Sequence, residues 1–170
     1  VWYDPTEFNT WGDLLVKKLA EDPQLVEKHL VELAKHWTIV LPYLKGEKTI
    51  ETADQLEEYY TNIMMWWSSM ANMFYIPNLD VSEEAKQAAL HQREAVEQYS
   101  DRMDSLCVEF WKAHFSNAAD LSFVISPYEA IEIARNGFAP GQEAEIRKRL
   151  QGFGLYNGKI YLLDELRQVM

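Results

Sequence analysis

A single cysteine, Cys107, stands in 170 residues, so neither an intrachain disulfide nor a Cys-x-x-Cys metal site is open to this chain. Its position inside a helical pattern gives it the role of a small packing residue. No apolar run approaches the roughly 18 residues that a membrane-crossing helix needs. The most apolar stretch, "NIMMWWSSMANMFYIP", is interrupted by Ser68, Ser69 and Asn72. The N-terminus has no secretory pattern, and a soluble cytoplasmic protein is expected. Glycine is scarce at 7 residues. Neither Gly-x-x-x-x-Gly-Lys-Ser/Thr nor Gly-x-Gly-x-x-Gly occurs, which removes the familiar phosphate-cradling loops. Cations are few as well: 16 Lys and Arg against 27 Asp and Glu leave a net charge of −11. Binders of phosphate backbones cluster their cations, so nucleic acid is not an expected partner. An anionic membrane surface would repel the chain. The sequence opens on Val1 rather than methionine, which suits either a trimmed fragment or a chain whose first residues are not included.

What is present is a real core: 48% apolar and 13% aromatic residues. Three stretches step by three and four residues. They are Val26, Leu30, Leu33, Trp37, Val40, Leu44; then Leu56, Tyr60, Ile63, Trp67, Met70, Phe74; then Ala85 through Ala89, Gln92, Val96, Tyr99, Met103, Leu106 and Phe110 to Ala113. Each set falls on one helical face. Asp22 and Pro23 open the first, while Pro42 and Gly46 close it. Pro77 breaks the second, and Ser82 caps the third, with Glu83 and Glu84 in its first turn. That third helix, Ser82 to Phe115, would span about 50 Å. A leading helix near Thr6–Ala20 turns Phe8, Trp11, Leu15 and Leu19 inward. The expected fold is mainly α: a four-helix antiparallel bundle over 1–117, followed by a small α+β tail over 118–170.

In that tail "LSFVIS" reads as extended, Ser126-Pro127 opens a short helix that Gly137 ends, and "PGQEAEIRKRL" is another short helix. Asn157-Gly158 suits a type I′ turn between strands around Phe153–Tyr156 and Lys159–Leu162. A lone hairpin is marginal in water and needs a surface to lean on, either the bundle or a missing domain.

Side chains with chemistry are scattered. His29, Glu32 and His36 share a helix face but match no His-Glu-x-x-His or Glu-x-x-His motif, and His91 and His114 have no nucleophile at motif spacing. The paired carboxylates Glu57-Glu58 and Glu83-Glu84 read as solvated faces and first-turn charges. No catalytic, cofactor or metal site is assigned. In "YYTNIMMWWSSMANMFY" the residues Tyr59, Met64, Trp66 and Met73 exceed one stripe. They mark either a helix buried on several sides or a docking or acceptor-pocket surface, since Trp, Tyr and Met are enriched at interface cores.

The succession "ISPYEAIEIARNG … EAEIRKRLQGFGLYNGKIYLLDEL" resembles the segment that precedes the swivelling phosphohistidine domain of phosphoenolpyruvate-utilising enzymes, a group that includes phosphoenolpyruvate synthase, pyruvate phosphate dikinase and rifampicin phosphotransferase. The residues that carry it are Ser126, Glu129, Ala130, Ile146, Arg149, Gly154, Gly158, Lys159, Ile160 and Tyr161. The resemblance implies a helical linker or acceptor-proximal segment, with ATP and Mg²⁺ held by a neighbouring grasp-type domain and the phosphoryl group carried on another domain of the same protein. Gly152, Gly154, Asn157 and Gly158 would then form a hinge. The family's catalytic histidine in a Gly-rich Thr/Ser-His context is missing here, so no catalytic role is carried over. The alternative from another class is a self-contained all-α interaction module that docks a protein partner through its Trp/Met-rich helix.

Overall fold

The computed structural model describes residues 5–156 and 159–169. It is mainly helical. In order come α1 (Pro5–Glu21), α2 (Leu25–Leu44), α3 (Ala53–Tyr75), α4 (Glu83–Glu97), α5 (Ser100–His114), α6 (Pro127–Asn136) and α7 (Gln142–Lys148). The strands β1 (Phe153–Tyr156) and β2 (Lys159–Leu162) follow, and then α8 (Leu163–Val169). No helix of the described residues is long and apolar enough to cross a membrane. The residues group into two compact units, Val1–Thr49 with Glu58–Met103, and Ile50–Glu57 with Asp104–Met170.

The first unit is built on one apolar cluster: Leu15 of α1, Val26 and Leu33 of α2, Trp66, Met70 and Met73 of α3, Ile76, and Ala89 and Val96 of α4. On α3 the buried residues are Leu56, Tyr59, Trp66, Met70 and Met73: Leu56 and Met70 belong to the expected stripe, whereas Tyr59, Trp66 and Met73 take the places expected of Tyr60, Trp67 and Phe74. Both sets repeat by threes and fours, so periodicity does not choose between them. The choice comes from α2, whose polar side chains reach Glu58, Asn62 and Asn72 and fix how α3 is rotated. Trp11 likewise turns outward, 54% exposed and stacked on Tyr75. Pro42 does not end α2. It sits in the last turn, and its carbonyl accepts the N–H groups of Glu47 (2.9 Å) and Lys48 (3.1 Å). Gly46, at φ +75°, makes the reversal that follows, in the left-handed region that glycine enters without strain.

The expected single helix from Ser82 is two helices. It starts as expected, with the Ser82 hydroxyl accepting the Ala85 N–H. At Gln98–Tyr99 the ladder tightens: the Tyr99 N–H reaches Val96 O (3.0 Å), and the Ser100 hydroxyl donates back to Glu97 O (3.0 Å). Such local serine bonding competes with the helical ladder and bends it.

The second unit has its own core in Leu56, Leu106, Phe110, Trp111, Leu121, Ala130, Ile133 and Ile146, with Trp111, Phe115 and Phe138 in ring contact. "LSFVIS" is not extended. Ser116–Phe123 forms 3₁₀ turns kinked at Ala118, and Arg147 ties them down by donating to Asp120 (2.9 Å) and to Asn117 O (2.7 Å). α6 has the full reciprocal cap: Ser126 Oγ accepts the Glu129 N–H, and the Glu129 carboxylate accepts the Ser126 N–H. The hairpin forms in the register Phe153↔Leu162, Gly154↔Tyr161. Its supporting surface is α8, the helix that follows it directly.

Candidate functional site

α2 carries His29, His36 and Tyr43 at intervals of seven, and each meets a polar group of α3 running the opposite way. His36 Nδ1 lies 2.9 Å from Asn62 Oδ1, and Asn62 in turn donates to Glu58 O (2.8 Å). Asn72 Nδ2 lies 3.2 Å from His29 Nε2, and the Tyr43 hydroxyl donates to Glu58 Oε2 at 2.5 Å. Lys48 approaches the same carboxylate at 3.6 Å and sits over the Tyr43 ring. Glu32 stands 3.6 Å from His36 Nε2.

Two groups of the seam, His29 and Tyr43, are pushed towards their neutral forms. Burial, with Lys18 adding to it, pushes His29 below its usual value, which suits an imidazole nitrogen that accepts from an amide. Burial pushes the Tyr43 phenol up, and its bond to Glu58 pushes it further. Successive rungs are seven residues apart, about 10 Å along the helix, so no two of them share a proton and no nucleophile stands between them. The seam is a set of register pins. A slip of one turn between α2 and α3 would unmake all three bonds and leave buried polar groups unpaired. The seven-residue spacing was a signal available in the sequence; the positions of the partners on α3 were not.

The residues expected to form a docking surface divide. Tyr59, Trp66 and Met73 are in the core, at 1% exposure or less, so burial on several sides accounts for them. Tyr59 also donates to Met103 O at 3.0 Å. Only Met64 of that set is exposed. It shares the outer side of α3 with Met65 and Trp67 (49% and 55% exposed), and Trp67 meets Phe74 edge-on at 5.9 Å.

Of the expected hinge, Asn157 and Gly158 lie outside the described residues. Gly152 has φ +116°, and its carbonyl accepts the Leu163 N–H at 3.1 Å. A Cβ placed on Gly154 would lie 2.5 Å from Leu166 Cδ2. These two glycines therefore admit α8 against the hairpin, which is a close-packing role as much as a flexible one.

Among the described residues no three His, Cys, Asp or Glu side chains gather as a metal-ligating group. The strongest charged contact belongs to two residues of the family resemblance, Glu129 and Arg149, which form a two-pronged ion pair in the second unit. No family model, curated protein or solved structure matches the chain.

Proposed function

We propose that this chain is a helical linker and acceptor-proximal segment of a cytoplasmic phosphoenolpyruvate-utilising phosphotransferase, and that its helical body is a four-helix antiparallel bundle. The observation that carries the reading is the connection among the residues of the resemblance. Ser126 and Glu129 cap α6, Glu129 grips Arg149, Ala130 and Ile146 are fully buried, and Gly154 underlies α8. A pattern that recurs by chance has no reason to fall on the positions that tie one small unit together. In this reading no residue of this chain is assigned to ATP or Mg²⁺. Those groups would belong to neighbouring grasp-type and phosphohistidine domains, and this chain would hold the two at a working separation.

Sequencing the encoding gene through both ends tests the reading. A continuous frame with a nucleotide-grasp module on one side and a Gly-rich Thr/Ser-His segment on the other is the expected result. Start and stop codons closing tightly around Val1 and Met170 would overturn it. They would favour the second reading, a self-contained module that docks a protein partner. The exposed Met64, Met65 and Trp67 support that reading, because large apolar side chains left in water on one helix side are typical of interface cores.

A further inference from the structure

Where α6 ends, an asparagine is followed by glycine, Asn136–Gly137. In water such a step carries its own chemistry. The glycine nitrogen, having given its proton to hydroxide, attacks the asparagine Cγ. The new C–N bond closes a five-membered succinimide as the bond to Nδ2 breaks and ammonia leaves. Water then opens the ring at either carbonyl, giving aspartate or isoaspartate. Glycine favours the attack because no Cβ obstructs the approach of its nitrogen. Asn136 is exposed, and a Cβ placed on Gly137 would meet nothing within 4 Å, so the ring and the water both have room.

Two hydrogen bonds oppose the reaction in the folded chain. The Gly137 N–H donates to Ile133 O at 2.8 Å, so the attacking nitrogen is held in the last bond of the helical ladder. Asn136 donates from Nδ2 to Glu132 Oε1 at 2.6 Å, which holds its side chain back along α6. Ring closure needs that side chain turned forward onto Gly137.

The bond to Glu132 is also the one the reaction destroys. Nδ2 leaves as ammonia, and a carboxylate takes its place facing the Glu132 carboxylate four residues away. Like charges at that spacing oppose a helix, and negative charge at a helix C-terminus opposes its dipole. The adjacent cation, Arg135, is already shared between Asp54 and Glu57.

We propose that Asn136 is a deamidation site gated by the last turn of α6, and that its product holds that turn open. Opening frees the glycine nitrogen and the side-chain amide together. Reaction then removes the donor that would re-form the closing bond. The change runs one way and accumulates with the time the turn spends open.

The test is incubation of the full chain at mildly alkaline pH, folded or in guanidinium chloride, followed by peptide mapping with mass spectrometry. Mapping separates Asn136 from Asn157, the other asparagine that precedes glycine. With two hydrogen bonds to break, the folded chain should react at least about tenfold more slowly than the unfolded one. Glu132→Ala should raise the folded rate about threefold or more and leave the unfolded rate unchanged. Asn136→Asp should speed hydrogen exchange at the Gly137 amide about fivefold. Adding Glu132→Gln, whose amide donates to the new carboxylate, should recover most of that protection. Equal rates in the folded and unfolded chain, or no acceleration by Glu132→Ala, would overturn the gate. Unchanged exchange in Asn136→Asp, or no recovery with Glu132→Gln, would overturn the one-way step.

Discussion

Glu129 and Arg149 meet fork to fork, with Nη1 to Oε2 and Nη2 to Oε1 both at 2.7 Å. Arg149 Nη1 also donates to Val124 O at 3.2 Å. One guanidinium thereby fastens the start of α6, the turn before it and the end of α7. The planar fork of arginine matches a carboxylate in a way the single ammonium of lysine does not.

Replacing Arg149 by methionine keeps the apolar stem and removes the fork. Glu129 then keeps only its cap bonds in a half-buried place. A loss of about 2 kcal/mol is expected, in the range for hydrogen bonds to charged groups. Arg149→Lys should recover less than half of it. Urea unfolding followed by circular dichroism measures both, and unchanged midpoints would show that the pair holds nothing.

The same pair sets an acid dependence. The bonds from Arg149, opposed in part by burial and helped by those from Ser126, hold the Glu129 carboxyl down at about 2, against an ordinary 4.5. A carboxyl lowered on folding contributes stability that is complete above its unfolded value and is lost as the pH falls through the folded one. Stability should therefore decline from about pH 4.5 towards pH 2. Arg149→Met should flatten that slope, and melting temperatures across this range would read the difference.

At the alkaline end Tyr43 governs. Its phenol is raised on folding by burial and by Glu58, so its contribution is complete below the ordinary value near 10 and is lost as the pH rises beyond it. Tyr43→Phe should cost about 1 kcal/mol at neutral pH and remove that part of the alkaline decline. A variant that falls off above pH 10 as steeply as the parent would count against the Tyr43–Glu58 bond.

Trp66 and Trp67 are neighbours with opposite fates. Trp66→Ala should cost about 3–5 kcal/mol, the range for a large aromatic lost from a core, because Trp66 is 1% exposed and stacked on Trp37 at 5.3 Å. Trp67→Ala should cost under about 1 kcal/mol. Paired thermal melts decide it, and equal losses would contradict the rotation of α3 described above.

Gly154→Ala would press a methyl into Leu166. About 1 kcal/mol of destabilisation is expected from the crowding. Leu166→Ala should relieve part of it, so that the double variant is less destabilised than the sum of the singles. Strict additivity would mean that α8 does not rest on the hairpin.

How far the sequence carried depended on the range of the interaction. The helix starts at Ser82 and Ser126, the glycine stop at 137 and the hairpin were legible, because each is decided within a few residues. The face of α3 was not. Trp66 and Trp67 are equally apolar, and the deciding groups, His36 and Tyr43, lie more than a dozen residues away. The break at Gln98–Tyr99 has neither proline nor glycine to announce it, only a serine whose hydroxyl turns back to Glu97. α8 was missed because a seven-residue helix is too short for periodicity to register, and its support comes from packing on Gly152 and Gly154.

The placement of α8 bears on the order in which the chain assembles. Gly152 meets Leu163, and Gly154 meets Leu166, so each closing contact spans a short loop. Short loops close at small entropic cost and fast. The Glu129–Arg149 fork must close a longer one, and the seam from His29 to Asn72 a longer one still. The C-terminal clasp can therefore be complete before the distant pairings find one another. Of the three closures it is the one that needs the least time to take shape.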